Sequence, residues 1–398
     1  MANKRQIIII SLITAACLLG DSMLYIAMPV HYKEMGLTSL WEVGLLLSVN
    51  RLVRLPLNPL IGWLYQKIHI RTGIMIAVVL TFVTTSSYSL LHQFWLLFIM
   101  RSVWGAAWTL LRLGAYFTIL QTSTPTTRGS LMGTYNGLFR LGSLFGMLLG
   151  GMIADLYGVD AAAVSFAIAA LAVLPFTAFL CPTSIPASAN YRLIDGSVPY
   201  WKSPGIWWTL ASGMIIAMLY QGMFTATLSH FIEGYNPGNY VIWGWTLGAA
   251  SLAGILQAVR WVWEPFLAPW FGRLSDRTGS SRKLFVLTLL LAAVLFAIVS
   301  VHMPLWLWLL ILLGIQLTAT ILTTVMDALA VDAATRQQKA AAMTSYSVAT
   351  DLGAALGPTL GYLSDSAIGT RCLYMTAAAL LLAMAIRWYR PWKESEPA

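Results

Sequence analysis

Apolar stretches of about twenty residues or more follow one another along the whole chain, separated by short breaks bearing charged residues, Gly or Pro. The pattern predicts helical spans near Gln6–Val30, Glu42–Tyr65, Thr72–Leu91, Phe94–Leu120, Gly129–Ala154 and Val159–Leu180. A second set follows near Gly205–Phe231, Leu252–Gly272, Leu284–Val301, Leu305–Val331, Ala340–Leu363 and Gly369–Trp388. Between the sets, residues 182–204 are rich in Pro, Ser and Ala and carry Arg192, Asp195 and Lys202, the composition of a linker. The expected organisation is an N-terminal six-helix bundle (1–181), a linker (182–204) and a C-terminal six-helix bundle (205–398). The segment from Glu233 to Thr246 reads as a turn followed by an interfacial aromatic stretch with Trp243 and Trp245.

The two sets share one plan. The stretch from Glu42 to Lys67 returns 210 positions later between Leu252 and Arg277: Gly44 falls on Gly254, Leu46 on Leu256, Val49 on Val259, Pro59 on Pro269 and Gly62 on Gly272. At an offset of 211, Tyr135, Gly142, Gly146 and Gly150 fall on Tyr346, Gly353, Gly357 and Gly361. A self-match at half the chain length points to a duplicated multi-helix unit rather than a solenoid. The expected fold is therefore an all-α integral membrane protein with twelve transmembrane helices in two pseudo-symmetric bundles. Glycines at i, i+4 and i+8 line one helix stripe and admit a close neighbour.

Composition agrees, because 58% hydrophobic and 10% charged residues with a mean hydropathy of +0.73 exclude an ordinary soluble domain. The net charge of +9 raises the question of nucleic acid, yet the basic residues are spread over short alternate connections. These are Lys4 and Arg5; Lys67 and Arg71; Arg128; Arg192 and Lys202; Arg273, Arg277, Arg282 and Lys283; Arg336 and Lys339; and Arg387, Arg390 and Lys393. The opposite connections offer only Lys33 and Arg371, so both termini are expected in the cytoplasm. The expected partners are the bilayer, a small molecule and protons, with no nucleic acid and a monomeric protein. Cys17, Cys181 and Cys372 have no CxxC spacing or His cluster and read as packing residues, and no metal or cofactor pattern is present. The apolar run after Arg5 continues past Cys17 to Pro29, longer than a cleavable signal core, and reads as a first span.

Ionisable residues inside spans carry the functional signal, because each costs about 2.5–3.5 kcal/mol on insertion scales unless paired or set beside water. Ten stand out: Asp21, Arg51, Arg54, Arg101, Arg112, Arg140, Arg260, Glu264, Asp327 and Asp351. Asp21, Arg51, Arg101 and Arg260 fall in one layer, roughly seven to ten residues from the outer span ends. Arg54, Arg140, Glu264 and Asp351 fall in a second, about twelve to fourteen residues in. Asp327 and Arg260 lie nearer span ends, where simple snorkelling is an equally good reading. Six arginines against four carboxylates favour an anionic solute, with Gln257 and Trp261 as further contacts. The plainer alternative for any single arginine is a tie to helix carbonyls.

Several motifs resemble those of the major facilitator superfamily across essentially the whole chain. Gly272-Arg-Leu-Ser-Asp276-Arg277-Thr-Gly279 is similar to the family's loop signature, and the matching first-half loop keeps Gly62 and Lys67 but has Gln66 for the aspartate. Arg101-Ser-Val-Trp-Gly105 resembles the fourth-span motif linked to proton coupling. Gly142-Ser-Leu-Phe-Gly146-Met147-Leu-Leu-Gly150 resembles the fifth-span antiporter motif with Met147 for its proline. Asp21 within Gly20-Asp21-Ser22 through Pro29 resembles the first-span pattern of proton-driven exporters. The resemblance implies the major facilitator fold and a proton-coupled, drug:proton antiporter-like exporter. It implies a gating loop at Gly272, Asp276, Arg277 and Gly279, and it would set Arg54 opposite Asp351 and Arg140 opposite Glu264. Taken with the buried charges, the proton-coupling candidates are Asp21, Arg101, Glu264 and Asp351, and the substrate-cavity candidates are Arg51, Arg54, Arg112, Arg140, Gln257 and Trp261.

The leading functional reading is a secondary active transporter of a bacterial-type inner membrane. It would export a small organic molecule of anionic character, siderophore- or metabolite-like, by alternating access. Multidrug efflux is the alternative, and a non-transporting receptor or scaffold a third reading. No nucleophile–base set, metal-ligand cluster or phosphate loop supports an enzyme.

Overall fold

Helices account for nearly all of the described residues in a computed structural model, which describes residues 2–124, 127–181, 204–235, 240–242, 245–278, 281–333 and 339–389. The first set of apolar runs forms α1 (Ala2–His31), α2 (Leu40–Tyr65), α3 (Ile70–Leu90), α4 (Phe94–Thr122), α5 (Arg128–Tyr157), α6 (Val159–Ala172) and α7 (Leu174–Leu180). The second forms α8 (Pro204–Ile216), a π-helical segment (Ala217–Phe224), α9 (Thr225–Tyr235), α10 (Ala249–Thr278), α11 (Ser281–Ile298), α12 (Leu305–Ala333) and α13 (Lys339–Tyr389). The interdomain linker, Gly279 and residues 390–398 lie outside the described residues, as do the side chains of Asp276 and Arg277.

Nine runs among the described residues are long and apolar enough to cross a membrane. Two more helices, α2 and α10, have the length but carry the charged residues of the proposed site. α13 contains two spans divided at Gly369, so nine, two and one give the expected twelve. That division is duplicated: Gly158 between α5 and α6 has φ 85°, and Gly369, its counterpart at the 211 offset, has φ 81°. Both angles lie in the left-handed region that glycine enters without steric penalty. The sixth predicted span breaks at Val173 into α6 and α7, because Pro175 has no N–H to give and its ring crowds the preceding turn. Within the stretch after Glu233, β1 (Tyr240–Ile242) pairs antiparallel with β2 (Trp245–Leu247), in register Tyr240 to Leu247, while the predicted turn at 236–239 and Trp243 lie outside the described residues.

The chain divides into two compact units. Unit 1 comprises Met1–Arg192 with Thr225–Trp261, and unit 2 comprises Leu193–Phe224 with Val262–Ala398. In unit 1, α1 packs along α5 and touches α6 and α9, while α4 is flanked by α2 and α3. In unit 2, α13 packs on α8, the π segment and α11. The glycine stripe makes the equivalent contact in each. Gly142 and Gly146 lie directly on the α1 carbonyls of Ala15 and Leu19, and Gly353 and Gly357 lie on the carbonyls of Met214 and Met218. A Cβ at any of the four would collide with backbone, so the duplicated glycines are a packing device.

Large apolar side chains remain exposed along outward faces, including Val164, Ile168 and Leu171 on α6 and Leu287, Leu291 and Val294 on α11. Such faces suit lipid rather than water. Cys17 and Cys181 are buried, whereas Cys372 is exposed and so departs from the packing role expected of it. Cys181 ends α7, where its carbonyl accepts a hydrogen bond from Arg71 Nε (2.9 Å) and burial pushes its thiol up to about 12.

Candidate functional site

Asp21 sits on the buried face of α1, in an otherwise apolar helix that runs from Ala2 to His31. Arg101 of α4 meets it: Nη1 lies 2.5 Å from Asp21 Oδ1, with the arginine fully buried and Asp21 7% exposed. Two further contacts fix the guanidinium, because Nε donates to the α2 carbonyl of Leu46 (3.0 Å) and Nη1 also reaches the Tyr88 hydroxyl of α3 (3.5 Å). Asn50 of α2 donates Nδ2 to the same Asp21 oxygen (3.1 Å). Four helices thus converge on one ion pair. The spacing Arg101-x-x-x-Gly105 has a local reason: Gly105, one turn on, lies against the carbonyl of Asn50 with no room for a Cβ. That close approach brings the α2 carbonyls within reach of Arg101.

Of the four residues expected in this layer, Asp21, Arg51, Arg101 and Arg260, the structure joins Asp21 and Arg101 in an ion pair. Asn50 and Tyr88, which join them, were missed by sequence reasoning. Arg51 stands beside the pair and donates Nε to the Tyr25 hydroxyl (3.3 Å).

The remaining embedded arginines share a feature. Arg51 lies over the ring of Tyr25 (5.9 Å), Arg54 over Trp108 (5.2 Å) and Arg112 over Tyr116 (5.5 Å). Arg140 and Arg260 both lie over Trp261, at 5.5 and 5.8 Å. A guanidinium over a ring gains roughly 0.5–2 kcal/mol, which offsets part of the cost of placing a cation in an apolar span. Stacking occupies the face of the guanidinium and leaves hydrogen bonding to its edge. Arg112 shows this, because its Nε donates to the Tyr116 hydroxyl at 3.0 Å.

The rings are themselves connected. Trp104 packs on Trp108 (6.4 Å), Trp108 on Phe139 (5.6 Å), Phe139 on Tyr135 (5.0 Å) and Tyr135 on Tyr116 (6.0 Å). This ladder runs between α4 and α5 with Arg54 and Arg112 on its flanks. Gln257 is 1% exposed, and its Nε2 makes no hydrogen bond.

Glu264, Asp327 and Asp351 belong to unit 2. Asp327 accepts a hydrogen bond from the Tyr346 hydroxyl at 2.8 Å, a specific contact where snorkelling was one of the two readings. The expected pairings of Arg54 with Asp351 and of Arg140 with Glu264 run from one unit to the other and remain proposals from the sequence. In the loop motifs, Gly62 has open space around it and Gly272 only a methyl of Thr324 at 3.8 Å. Lys67 lies over the Trp63 ring (3.9 Å).

The family profile of the Major Facilitator Superfamily matches residues 10–267 and 265–398. The chain belongs to that superfamily, and is accordingly a multi-pass membrane transporter rather than an enzyme. Among characterised relatives it is 24% identical over 382 residues to the multidrug resistance protein MdtG of Salmonella typhi, covering 90% of this chain and 88% of that one. It is 23% identical over 380 residues, with the same coverage, to MdtG of Citrobacter koseri. Solved structures share the fold. A bacterial homolog of the human lysosomal transporter Spinster has a TM-score of 0.78 at 14% identity, over 96% of this chain and 95% of that one. The nucleoside transporter NupG has a TM-score of 0.74 at 13% identity, over 97% and 99%.

Proposed function

We propose that this transporter is a proton-coupled exporter of the inner membrane, with both termini in the cytoplasm, and that Asp21 and Arg101 are its coupling pair. The observation that carries this is the buried contact between them, reinforced by Asn50 and Tyr88. With Asp21 ionised, the pair is nearly neutral and holds α1, α2 and α4 together. A proton on Asp21 leaves Arg101 with an uncompensated charge in a desolvated place, and the removal of one partner from such a pair costs about 3–5 kcal/mol. An anionic group of the cargo at Arg101 or the adjacent Arg51 restores the balance. Proton and cargo thereby act on the same guanidinium, which couples the movement of one to the other.

The proposed cargo is a small organic anion, siderophore- or metabolite-like, bound by arginine edges and by aromatic faces. Support comes from the five arginines laid on rings, a surface that repels cations. Broad multidrug efflux is the second reading, favoured by the names of the relatives from Salmonella typhi and Citrobacter koseri. Proteoliposomes with an internal pH dye and an imposed pH gradient separate the two. Mono- and tricarboxylates are expected to collapse the gradient and ethidium to leave it intact. Proton movement driven by ethidium and unaffected by carboxylates would establish the multidrug reading instead.

A further inference from the structure

A second ionic cluster lies in unit 1 at the end of α1 remote from the N-terminus, away from Asp21 and Arg101. His31, the last residue of α1, places Nδ1 3.0 Å from Glu34 Oε1 and Nε2 3.3 Å from Asp155 Oδ1 at the end of α5. Ionised carboxylates only accept hydrogen bonds, and a neutral imidazole has one N–H. Both contacts therefore form together only when the ring carries two protons. The His31 and Asp155 side chains are 14% and 10% exposed, so solvent screens this contact less than a surface pair.

The other oxygen of Asp155 is committed to a third helix. Asp155 Oδ2 accepts the backbone N–H of Ser251 at 2.6 Å, in the first turn of α10. Gly248, just before that helix, packs on the carboxylate with no room for a Cβ. A helix start has unsatisfied N–H groups and favours negative charge.

The duplication shows why α10 takes its carboxylate from elsewhere. Its counterpart α2 is capped by its own Glu42, whose Oε2 accepts the N–H groups of Thr38 (2.7 Å) and Ser39 (3.2 Å). At the 210 offset Glu42 becomes Leu252, and the first turn of α10 contains no acid. Asp155 supplies the missing charge from the end of α5. The second copy has no equivalent: Asp155 falls on Ser366, whose hydroxyl returns to its own helix at Tyr362 O (2.8 Å). Asp365, one place earlier, is engaged locally by Thr370 (2.5 Å).

We propose that His31, Asp155 and Ser251 form a proton-operated latch, a second proton-binding site that ties the start of α10 to α5 and α1. Other titratable groups on the elements around this corner are Lys33 and Glu34 in the turn after α1, Tyr157 on α5, Asp160 on α6, and His230 and Glu233 on α9. His230 and Glu233 face one another at 3.7 Å. The imidazolium contribution is complete below the ordinary histidine range near 6.5 and is lost as pH rises through the titration of His31, when one of its two contacts must go. On the proposed orientation the corner faces the outside, and external acid would hold it shut. The inference depends on neither the cargo nor the coupling role of Asp21.

The test uses the full-length protein in lipid nanodiscs, with Cys17, Cys181 and Cys372 replaced by serine and a reporter Ala249→Cys at the first residue of α10, which is 7% exposed. Maleimide labelling is measured from pH 5.5 to 8, and the rate at each pH is divided by that of the same protein carrying His31→Gln, which cancels the reagent's own pH dependence. The ratio is expected to rise about fivefold toward one between acid and alkaline pH, the scale of a partly screened ion pair. Asp155→Asn is expected to label fast throughout. A ratio that stays flat overturns the latch. Hydrogen exchange of the first turn of α10 in the unmodified protein gives an independent reading, with greater intrinsic-rate-corrected protection at pH 6 than at pH 8 expected. Equal protection also overturns it.

Discussion

Asp21 and Arg101 occupy a fully desolvated contact, so their energetics are those of a pair rather than of two separate charges. Arg101→Ala leaves Asp21 without its cation and is expected to lower stability by about 3–5 kcal/mol. The double variant Asp21→Asn, Arg101→Ala, which removes both charges, should recover a substantial part of that loss. Thermal unfolding in detergent reads this directly, and simple additivity would contradict the pair. At Arg54 the relevant partner is the indole of Trp108. Trp108→Leu keeps an apolar filling but removes the ring face, and a destabilisation of roughly 0.5–2 kcal/mol beyond packing is expected. Arg54→Met in the same background should abolish that excess in a double-mutant cycle.

At the scale of elements, the paired glycine stripes make a symmetric prediction. Gly146→Ala and Gly357→Ala each thrust a methyl into helix backbone, at Leu19 O and Met218 O, and should destabilise by about 1–3 kcal/mol. Gly137→Ala, on the same helix as Gly146 but in open space, is expected to be neutral or stabilising by up to about 1 kcal/mol. Melting temperatures of the three variants check the contrast. Much of this level was legible beforehand, because span length, the twofold repeat and a small-residue stripe are one-dimensional signals. The depth of Asp21 and Arg101 was legible for the same reason. Depth along a helix does not give azimuth, so the convergence of Asn50 and Tyr88 on that pair required the packed helices. The ring beneath each arginine was equally hidden, since many aromatic residues in spans simply pack. The π segment at Ala217–Phe224 has no local sequence mark, and the bond from Asp155 to Ser251 joins residues 96 positions apart.

For the whole molecule, the duplicated bundles, the lipid-suited exposed faces and the buried ion pair form one account: a transporter whose proposed coupling proton and cargo both act on the Asp21–Arg101 contact. The two copies differ at the proposed site, with Arg51 and Arg54 in the first against Trp261 and Glu264 in the second. The proposed orientation predicts that a reporter enzyme active only in the cytoplasm works when fused to either terminus. Activity at one end alone would require an odd number of spans. The most direct measurement of the central claim compares two transport modes of Asp21→Asn in proteoliposomes, using whichever labelled carboxylate collapses the pH gradient with the parent protein. Uphill movement driven by a pH gradient is expected to be lost, while downhill counterflow of the same solute between equal pH compartments persists. Undiminished uphill transport by Asp21→Asn would contradict the account and remove the Asp21–Arg101 pair from the coupling mechanism.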